Sequence, residues 1–361
     1  MRAVVLLGGT GTRLRPLTRT APKQVLPIAE VPMIERVLGH LAVHGVTEAV
    51  LSLGYLHDSF VRLFPEGRAA GITLAWAVEP EPLDTAGAVA FAARTAGIDD
   101  RALLVVNGDV LTDLDVSAMI AFHVERGAEA TISLAEVPDP SAFGLVDVDE
   151  TGLVTRFVEK PAFRVPGAGR VSAGTYVLEP SVLDRIPAGR RLSIEREVFP
   201  GLVEKGSMFG YFSRAYWTDT GTPGQYLQAQ LDLLTGLRPG APAAGAVSRG
   251  DSIWTLGESV LDGEVRGPTL VGPAAFVARG AVVEGSVIGA GARVHAGALV
   301  QGSVLLSGAA VRAGAVVSRS VVGERSVIGE EARLSDLTVV GVGVEIAAGS
   351  RLEGARVPED A

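Results

Sequence analysis

The groups best placed for chemistry come at the start of the chain. Leu7-Gly8-Gly9-Thr10-Gly11-Thr12-Arg13-Leu14-Arg15 follows directly on the apolar run Ala3 to Leu7. An apolar run that opens into glycines reads as a buried strand leading to a loop. Glycines let backbone N–H groups close on an anion, and a nest of such groups holds phosphate oxygens. With two arginines beside the last glycine, the stretch predicts a loop that holds a nucleoside triphosphate. An ordinary strand-to-helix turn would also use a glycine pair, so the rest of the chain has to decide. The stretch is not a dinucleotide fingerprint, because Leu14 stands where a third glycine is needed. Nor is it a Walker loop, because the Lys-Ser/Thr pair is missing.

Composition removes other chemistries. The 361 residues contain no cysteine, which excludes disulfides and thiolate catalysis. The five histidines (His40, His44, His57, His123, His295) show no metal-ligand pattern. His40 and His44 share a helix face but lack the glutamate of a zincin motif. A net charge of −9 without a long basic run argues against nucleic-acid binding. No apolar stretch approaches the ~20 residues of a membrane span, and the short apolar start is no signal peptide. A soluble, cytoplasmic protein is expected.

Several elements must position the loop. Ala3–Leu7, Ala49–Leu53, Ile72–Val78 and Ala102–Val106 are aliphatic runs of strand length. Between them Ile34, Val37, Leu38 and Leu41 repeat at helical spacing, as do residues in Val89–Ala96 and Val116–Val124. This alternation predicts a mostly parallel sheet with helices on both faces. Such sheets bind ligands at the carboxyl ends of their strands. Both Gly8 and the turn Asn107-Gly108-Asp109 fall at such ends. Thr131–Val137, Gly144–Val148 and Leu153–Val158, with a turn at Asp149-Glu150-Thr151-Gly152, predict an antiparallel extension. Ser193–Val203 and Pro223–Leu234 read as helices.

Residues 236–250 are rich in Gly, Pro and Ala and read as a linker. Beyond it, apolar residues recur in sixes at Leu270, Phe276, Val282, Ile288, Val294, Val300 and Leu306. One slip gives Val311 and Val317; a second gives Val322, Ile328, Leu334, Val340, Ile346 and Leu352. Neither a helix nor a flat strand has period six. A three-sided β-solenoid does, with one hexapeptide per face and small residues at the corners.

Gly8-Gly9-x-Gly11-Thr12-Arg13-Leu14 with Pro22-Lys23 is then followed in order by Asn107-Gly108-Asp109, Phe143-Gly144, Glu159-Lys160-Pro161, Ser172-Ala173-Gly174 and Trp217-x-Asp219-x-Gly221-Thr222. This series resembles the signature of the sugar-nucleotide pyrophosphorylases, a nucleotidyltransferase family. Its longer members also carry a hexapeptide solenoid, so the resemblance covers nearly the whole chain. The likeness is greatest to the two-domain mannose-1-phosphate guanylyltransferases. It implies an α/β fold: a Rossmann-like mixed-sheet nucleotidyltransferase domain over 1–236, a linker over 237–250, and a left-handed parallel β-helix over 251–361. The implied reaction is attack of a sugar-1-phosphate oxygen on the α-phosphorus of a nucleoside triphosphate, which expels pyrophosphate. Here that would be GTP with mannose 1-phosphate, giving GDP-mannose.

Bringing two polyanions together makes catalysis mostly positioning and charge neutralisation. By the resemblance, Arg13 and Lys23 grip the triphosphate, Arg13 as a rigid fork and Lys23 as a point charge. Leu7, Gly8, Gly9, Gly11, Thr12, Glu79 and Thr85 would bind the nucleotide. Gly144, Glu159, Lys160 and Ser172 would bind the sugar phosphate. Asp109 and Asp219 would hold Mg²⁺, which takes oxygen ligands, commonly one or two carboxylates with phosphates and waters. No covalent nucleophile is evident. The solenoid is expected to serve assembly into a homo-oligomer or regulation.

Glu79 lies in a segment that resembles the family's base-reading stretch, where uridylyl- and thymidylyltransferases carry Gln. An amide suits the mixed donor and acceptor edge of uracil or thymine. Guanine offers two adjacent donors, which a carboxylate accepts together with charge-assisted strength. Glu79 therefore favours guanine. Three positions depart from the family: Leu7 where Ala is usual, Asp84 where Gly is usual, and Ser172 where Asn is usual. Asp tolerates the left-handed backbone that such a glycine allows. Competing readings are the same chemistry with dTTP or UTP and glucose 1-phosphate, a solenoid acyltransferase using His295, and a non-catalytic subunit on the same two domains.

Overall fold

Apolar runs build the first of two units in the computed structural model, which describes residues 1–54, 56–98, 101–161, 167–238 and 240–359. By packing, Met1–Gly9 and Ile34–Trp217 form one unit, and Thr10–Met33 and Thr218–Ala361 the other. The first unit holds strands β1 (Arg2–Leu6), β2 (Glu48–Leu53), β3 (Ile72–Val78), β4 (Leu103–Asn107), β5 (Ala130–Val137), β6 (Gly144–Val148), β7 (Val154–Glu159), β8 (Gly169–Leu178) and β9 (Met208–Phe212). Across the sheet the order is β7-β6-β8-β4-β1-β2-β3, with β5 beside β8 and β9 beside β5. Strands β4, β1, β2 and β3 run parallel, whereas β8 pairs antiparallel with β4, β5 and β6. The sheet is therefore mixed, as expected.

Val4, Val50 and Val105 on the central strands are buried among Ala86, Val89, Ala90 and Ala93 of helix α1 (Asp84–Thr95). Strands covered on both faces need continuous rather than alternating apolar residues. Two strands escape the hydrophobic pattern. In β8 the small residues Ser172, Ala173, Gly174 and Thr175 interrupt the apolar run, and the register against β5 shifts between Ser172 and Tyr176. The other is β9, which pairs parallel with β5.

The second unit contains a three-sided parallel β-solenoid. Val271 pairs with Ile288, Ile288 with Leu305 and Leu305 with Val322, so one coil spans seventeen residues. Each of these coils has two six-residue faces and one of five. Val322 pairs with Val340, and this longer step takes up one extra residue at the corner Asp336–Leu337, where both residues have positive φ. The period-six count is corrected accordingly. Val271, Val277, Val283 and Leu305 fill the lumen, not their neighbours Leu270, Phe276, Val282 and Leu306. Both residues of most two-residue strands are aliphatic, so a strict count in sixes drifts without meeting a polar residue. Corners demand left-handed backbone, and Gly280, Gly297 and Gly314 stack in one such column. The stretch expected to be linker is partly a strand: Ala246–Gly250 pairs antiparallel with Ile253–Leu256. Among the described residues no helix is long and apolar enough to cross a membrane.

A buried hydroxyl ladder ties the coils together. Thr269, Ser286, Ser303, Ser320 and Thr338 are almost fully shielded from solvent. Ser303 Oγ donates to the Gln301 carbonyl (2.7 Å) and accepts the Ser320 amide (3.1 Å), and Ser286 repeats this one coil earlier. Ser303→Ala leaves the Ser320 amide without that acceptor in a dry interior. The expected loss is about 1–3 kcal/mol of stability, read as a lower midpoint of chemical unfolding.

Candidate active site

Strand β1 lies between β2 and β4, and the chain reaches β4 only after passing through β2 and β3. Such a reversal of strand order opens a crevice at the carboxyl ends. A cleft of ≈410 Å³ lies there, lined by Leu6, Gly8, Gly9, Glu79, Pro82, Asp84, Thr85, Ala88, Asn107, Asp109 and Arg191. The ends of β1 and β4 are in close contact, with the Gly108 amide donating to the Leu6 carbonyl (2.9 Å). A Cβ at Gly108 would collide with the Leu7 side chain and come within 3.2 Å of that carbonyl. Gly8 and Gly9 face open space, and Gly9 has φ +93°. Among the residues expected to bind nucleotide, Leu7 does not line the cleft. Its side chain is buried behind the cleft and its amide is committed to the Ser52 carbonyl (3.0 Å).

Glu79 directly follows β3, with both carboxylate oxygens engaged. Oε1 accepts from the Ser52 hydroxyl (3.0 Å) and Oε2 from the Leu83 amide (2.9 Å). These bonds fix its orientation, and a carboxylate retains further lone pairs for a ligand. Asp84 adopts φ +59°, the backbone that the usual glycine would supply, and its Oδ1 accepts the Thr85 amide (2.8 Å). The Thr85 hydroxyl is used internally: it donates to Glu195 (2.7 Å) and accepts the Ile194 amide (2.8 Å).

Glu195 and Arg191 are the groups that sequence reasoning missed. Arg191 lies just before a π-helical stretch, Ile194–Val198, and Glu195 lies within it; Ser193 caps its start. Such π stretches are frequent at functional sites. The Ser193 amide donates to Glu197 (3.1 Å) while Ser193 Oγ accepts the Arg196 amide (3.3 Å), a reciprocal cap whose glutamate comes one residue later than in the usual capping box, which hides it from the spacing.

Of the expected sugar-phosphate residues, Ser172 touches the phenol of Tyr176 and Glu159 acts on it through its charge. Gly144 and Glu159 are paired across the β6–β7 hairpin, and a Cβ at Gly144 would sit 3.0 Å from Glu159 Oε2. Lys160 Nζ lies 3.6 Å from Glu159 and is largely exposed. Ser172 Oγ is 3.4 Å from the hydroxyl of buried Tyr176. Burial raises the Tyr176 pKa, and the charges of Glu195, Glu159 and Asp109 raise it further. Burial likewise pushes the Glu159 carboxyl up, with the Glu195 charge adding to it and Lys160 opposing.

In the second unit, Gly11 (φ +60°) precedes a 3₁₀ turn, Thr12–Leu14, that carries Arg13, and Lys23 begins another, Lys23–Val25. Asp219 Oδ1 accepts the Gly221 amide (2.6 Å). A Cβ at Gly221 would meet both the Arg13 guanidinium and, at 2.8 Å, the Asp219 carboxylate. Among the described residues no three acidic or histidine side chains assemble a cation cage. Asp109 in the first unit and Asp219 in the second each offer carboxylate oxygens, the donor type that Mg²⁺ takes.

A nucleotidyl transferase family model matches residues 2–236, and a model described as the GMPPB C-terminal domain matches 265–359. The chain belongs to the nucleotidyl transferase family. This nucleotidyltransferase is 39% identical to the mannose-1-phosphate guanylyltransferase of Mycobacterium tuberculosis, over 79% of this chain and 78% of that one. It is 35% identical to the probable mannose-1-phosphate guanylyltransferase 3 of Oryza sativa, over 96% and 92%. Among solved structures, HddC from Yersinia pseudotuberculosis is 29% identical with a TM-score of 0.56, covering 63% of this chain and 97% of that one. A second HddC structure holds GMP-PN and matches equally well.

Two outcomes follow for the nucleotidyltransferase. On the reading of Arg13 as a triphosphate grip, Gly221→Ala should lower kcat by up to about a hundredfold, the cost of a roughly 1 Å misplacement of its fork; initial rates of pyrophosphate release check it. In the folded chain the raised Glu159 pKa favours the protonated form, whose stabilising contribution is lost as pH rises through that pKa. Glu195→Gln removes one cause of the rise, so the acid limb of the pH–rate profile should move to lower pH.

Proposed function

We propose that the chain transfers GMP from GTP to mannose 1-phosphate, forming GDP-mannose and pyrophosphate. The observation that carries this reading is an oriented carboxylate, Glu79, in the cleft of a chain whose relatives are named mannose-1-phosphate guanylyltransferases. A fixed carboxylate accepts both donors of guanine's Watson–Crick edge. In this reading Gly8, Gly9, Gly11 and Thr12 cradle the triphosphate, and Arg13 and Lys23 neutralise the departing pyrophosphate. Lys160 holds the sugar phosphate, while Glu159 accepts from sugar hydroxyls, helped by Gly144 and Ser172. Thr85 acts through Glu195 as a brace. Asp109 and Asp219 would hold Mg²⁺, which when bound supplies charge neutralisation at the phosphates.

Residues 1–236 are assigned to catalysis and 251–361 to the solenoid. The ranges of the two family models support that division. Assembly into a homo-oligomer through the solenoid is part of the proposal. So is a cytoplasmic location, since both substrates are polyanions that do not cross a bilayer unaided.

The test is pyrophosphate release across GTP, ATP, UTP and dTTP with a panel of hexose 1-phosphates. Wild type should prefer GTP with mannose 1-phosphate; equal use of UTP sinks the base assignment. Glu79→Gln should erase the preference for GTP over UTP, whereas Ser52→Ala, which removes only a brace, should keep it. Asp109→Asn should abolish turnover with an unchanged unfolding midpoint.

A further inference from the structure

The segment that carries Arg13 and Lys23 is built onto the solenoid. Thr10–Met33 packs with Thr218–Ala361 rather than with the sheet it follows in sequence. Its helical structure is confined to three short 3₁₀ turns, Thr12–Leu14, Leu17–Arg19 and Lys23–Val25. Isolated turns of this kind have too few internal bonds to hold one shape. The shape is held from outside at several points. The Pro16 ring lies against Gly341, where an added Cβ would come within 3.2 Å of its Cβ and Cγ. Arg19 Nη2 donates to the Glu359 carbonyl (2.7 Å).

The end of the segment is pinned more firmly. Ala29 and Glu30 form the tip of a tight hairpin between Pro27–Ile28 and Val31–Pro32, and both have left-handed φ (45° and 66°). That backbone favours Asn and Gly, so two ordinary residues need compensating contacts. The Ala29 amide donates to Gln230 of the helix Pro223–Leu234, whose Nε2 donates to the Pro27 carbonyl (3.1 Å). Glu30 Oε2 accepts the Ala290 amide of a solenoid corner (2.9 Å). Glu30 is partly buried there, and that burial raises its carboxyl pKa.

We propose that the solenoid is the brace of the triphosphate-gripping segment, with Glu30 as a positioning residue and the Gly341–Pro16 contact as a second anchor. The repeat domain then sets the affinity for the nucleoside triphosphate, a role distinct from assembly. The inference rests on the reading above that Arg13 and Lys23 grip the triphosphate.

The experiment compares wild type with Glu30→Ala, Glu30→Gln, Gly341→Ala, and Ala296→Ser at an exposed solenoid corner as control. Kinetics use whichever nucleotide and sugar phosphate the wild type turns over, so failure of the guanine assignment leaves the comparison intact. Calorimetry of triphosphate binding runs beside it. Glu30→Ala and Gly341→Ala should raise KM and Kd for the triphosphate roughly tenfold, the scale of losing one hydrogen bond to a carboxylate. KM for the sugar phosphate should stay within twofold. Glu30→Gln keeps an acceptor for the Ala290 amide and should behave like wild type, as should Ala296→Ser. Unchanged triphosphate KM and Kd in both Glu30→Ala and Gly341→Ala would overturn the proposal. So would equal losses for both substrates in step with a lowered unfolding midpoint, because that signals general loosening. A wild type that neither binds nor turns over any triphosphate overturns both this inference and the proposed function.

Discussion

The close approach of two strand ends governs the first unit. Strands β1 and β4 finish side by side, joined by the bond from the Gly108 amide to the Leu6 carbonyl. Backbone this close leaves no room for a Cβ at position 108. It also forces Leu7 inward as the plug behind the crevice, so that the glycines after it face open space. The constraint extends to the next strand. Asn107 presses on Gly174, where a Cβ would come within 2.8 Å of its amide, and Gly174 has φ +76° at the irregular middle of β8. Three chain segments thus share one crowded end of the sheet, and the cleft is the space they leave.

Charge is distributed unevenly around that end. Glu159, Glu195 and Asp109 all act on the Tyr176 phenol, and burial already favours the neutral forms of Glu159 and Tyr176. A polyanionic ligand would meet repulsion at such a wall unless cations intervene. Lys160, held near Glu159 and mostly exposed, is one such cation. The same carboxylates suit the hydroxyls of a sugar, which donate rather than repel. A hydroxyl-rich ligand bearing a single phosphate is compatible with both features.

Much of this could be read in the residues. The aliphatic runs ending at Leu6 and Asn107 mark the strands and therefore the crevice, and Asp84 announces its left-handed turn by standing where a glycine is usual. The solenoid is legible from its aliphatic repeat. What escapes has a physical reason in each case. Strand β8 carries small polar residues because Asn107 packs on it, so its pattern does not look like a buried strand. Glu195 reaches Thr85 over 110 positions of chain, a contact that no local spacing encodes. Leu7 looks like part of the glycine loop but belongs to the core. The packing of Thr10–Met33 with residues beyond 218 likewise depends on contacts such as Glu30 to Ala290, which have no short-range signature.

The stacking of the solenoid limits how its length can change. Each hydroxyl of the ladder must lie directly above the last, and each corner must present left-handed backbone at the same place in every coil. A single inserted residue is absorbed only where a corner can bulge, as at Asp336–Leu337. Elsewhere, one residue more or fewer would turn a lumen valine outward and break the ladder above it. Such a domain lengthens or shortens in whole coils, so its evolution should proceed in steps of about seventeen residues while the surface of every face stays free to vary.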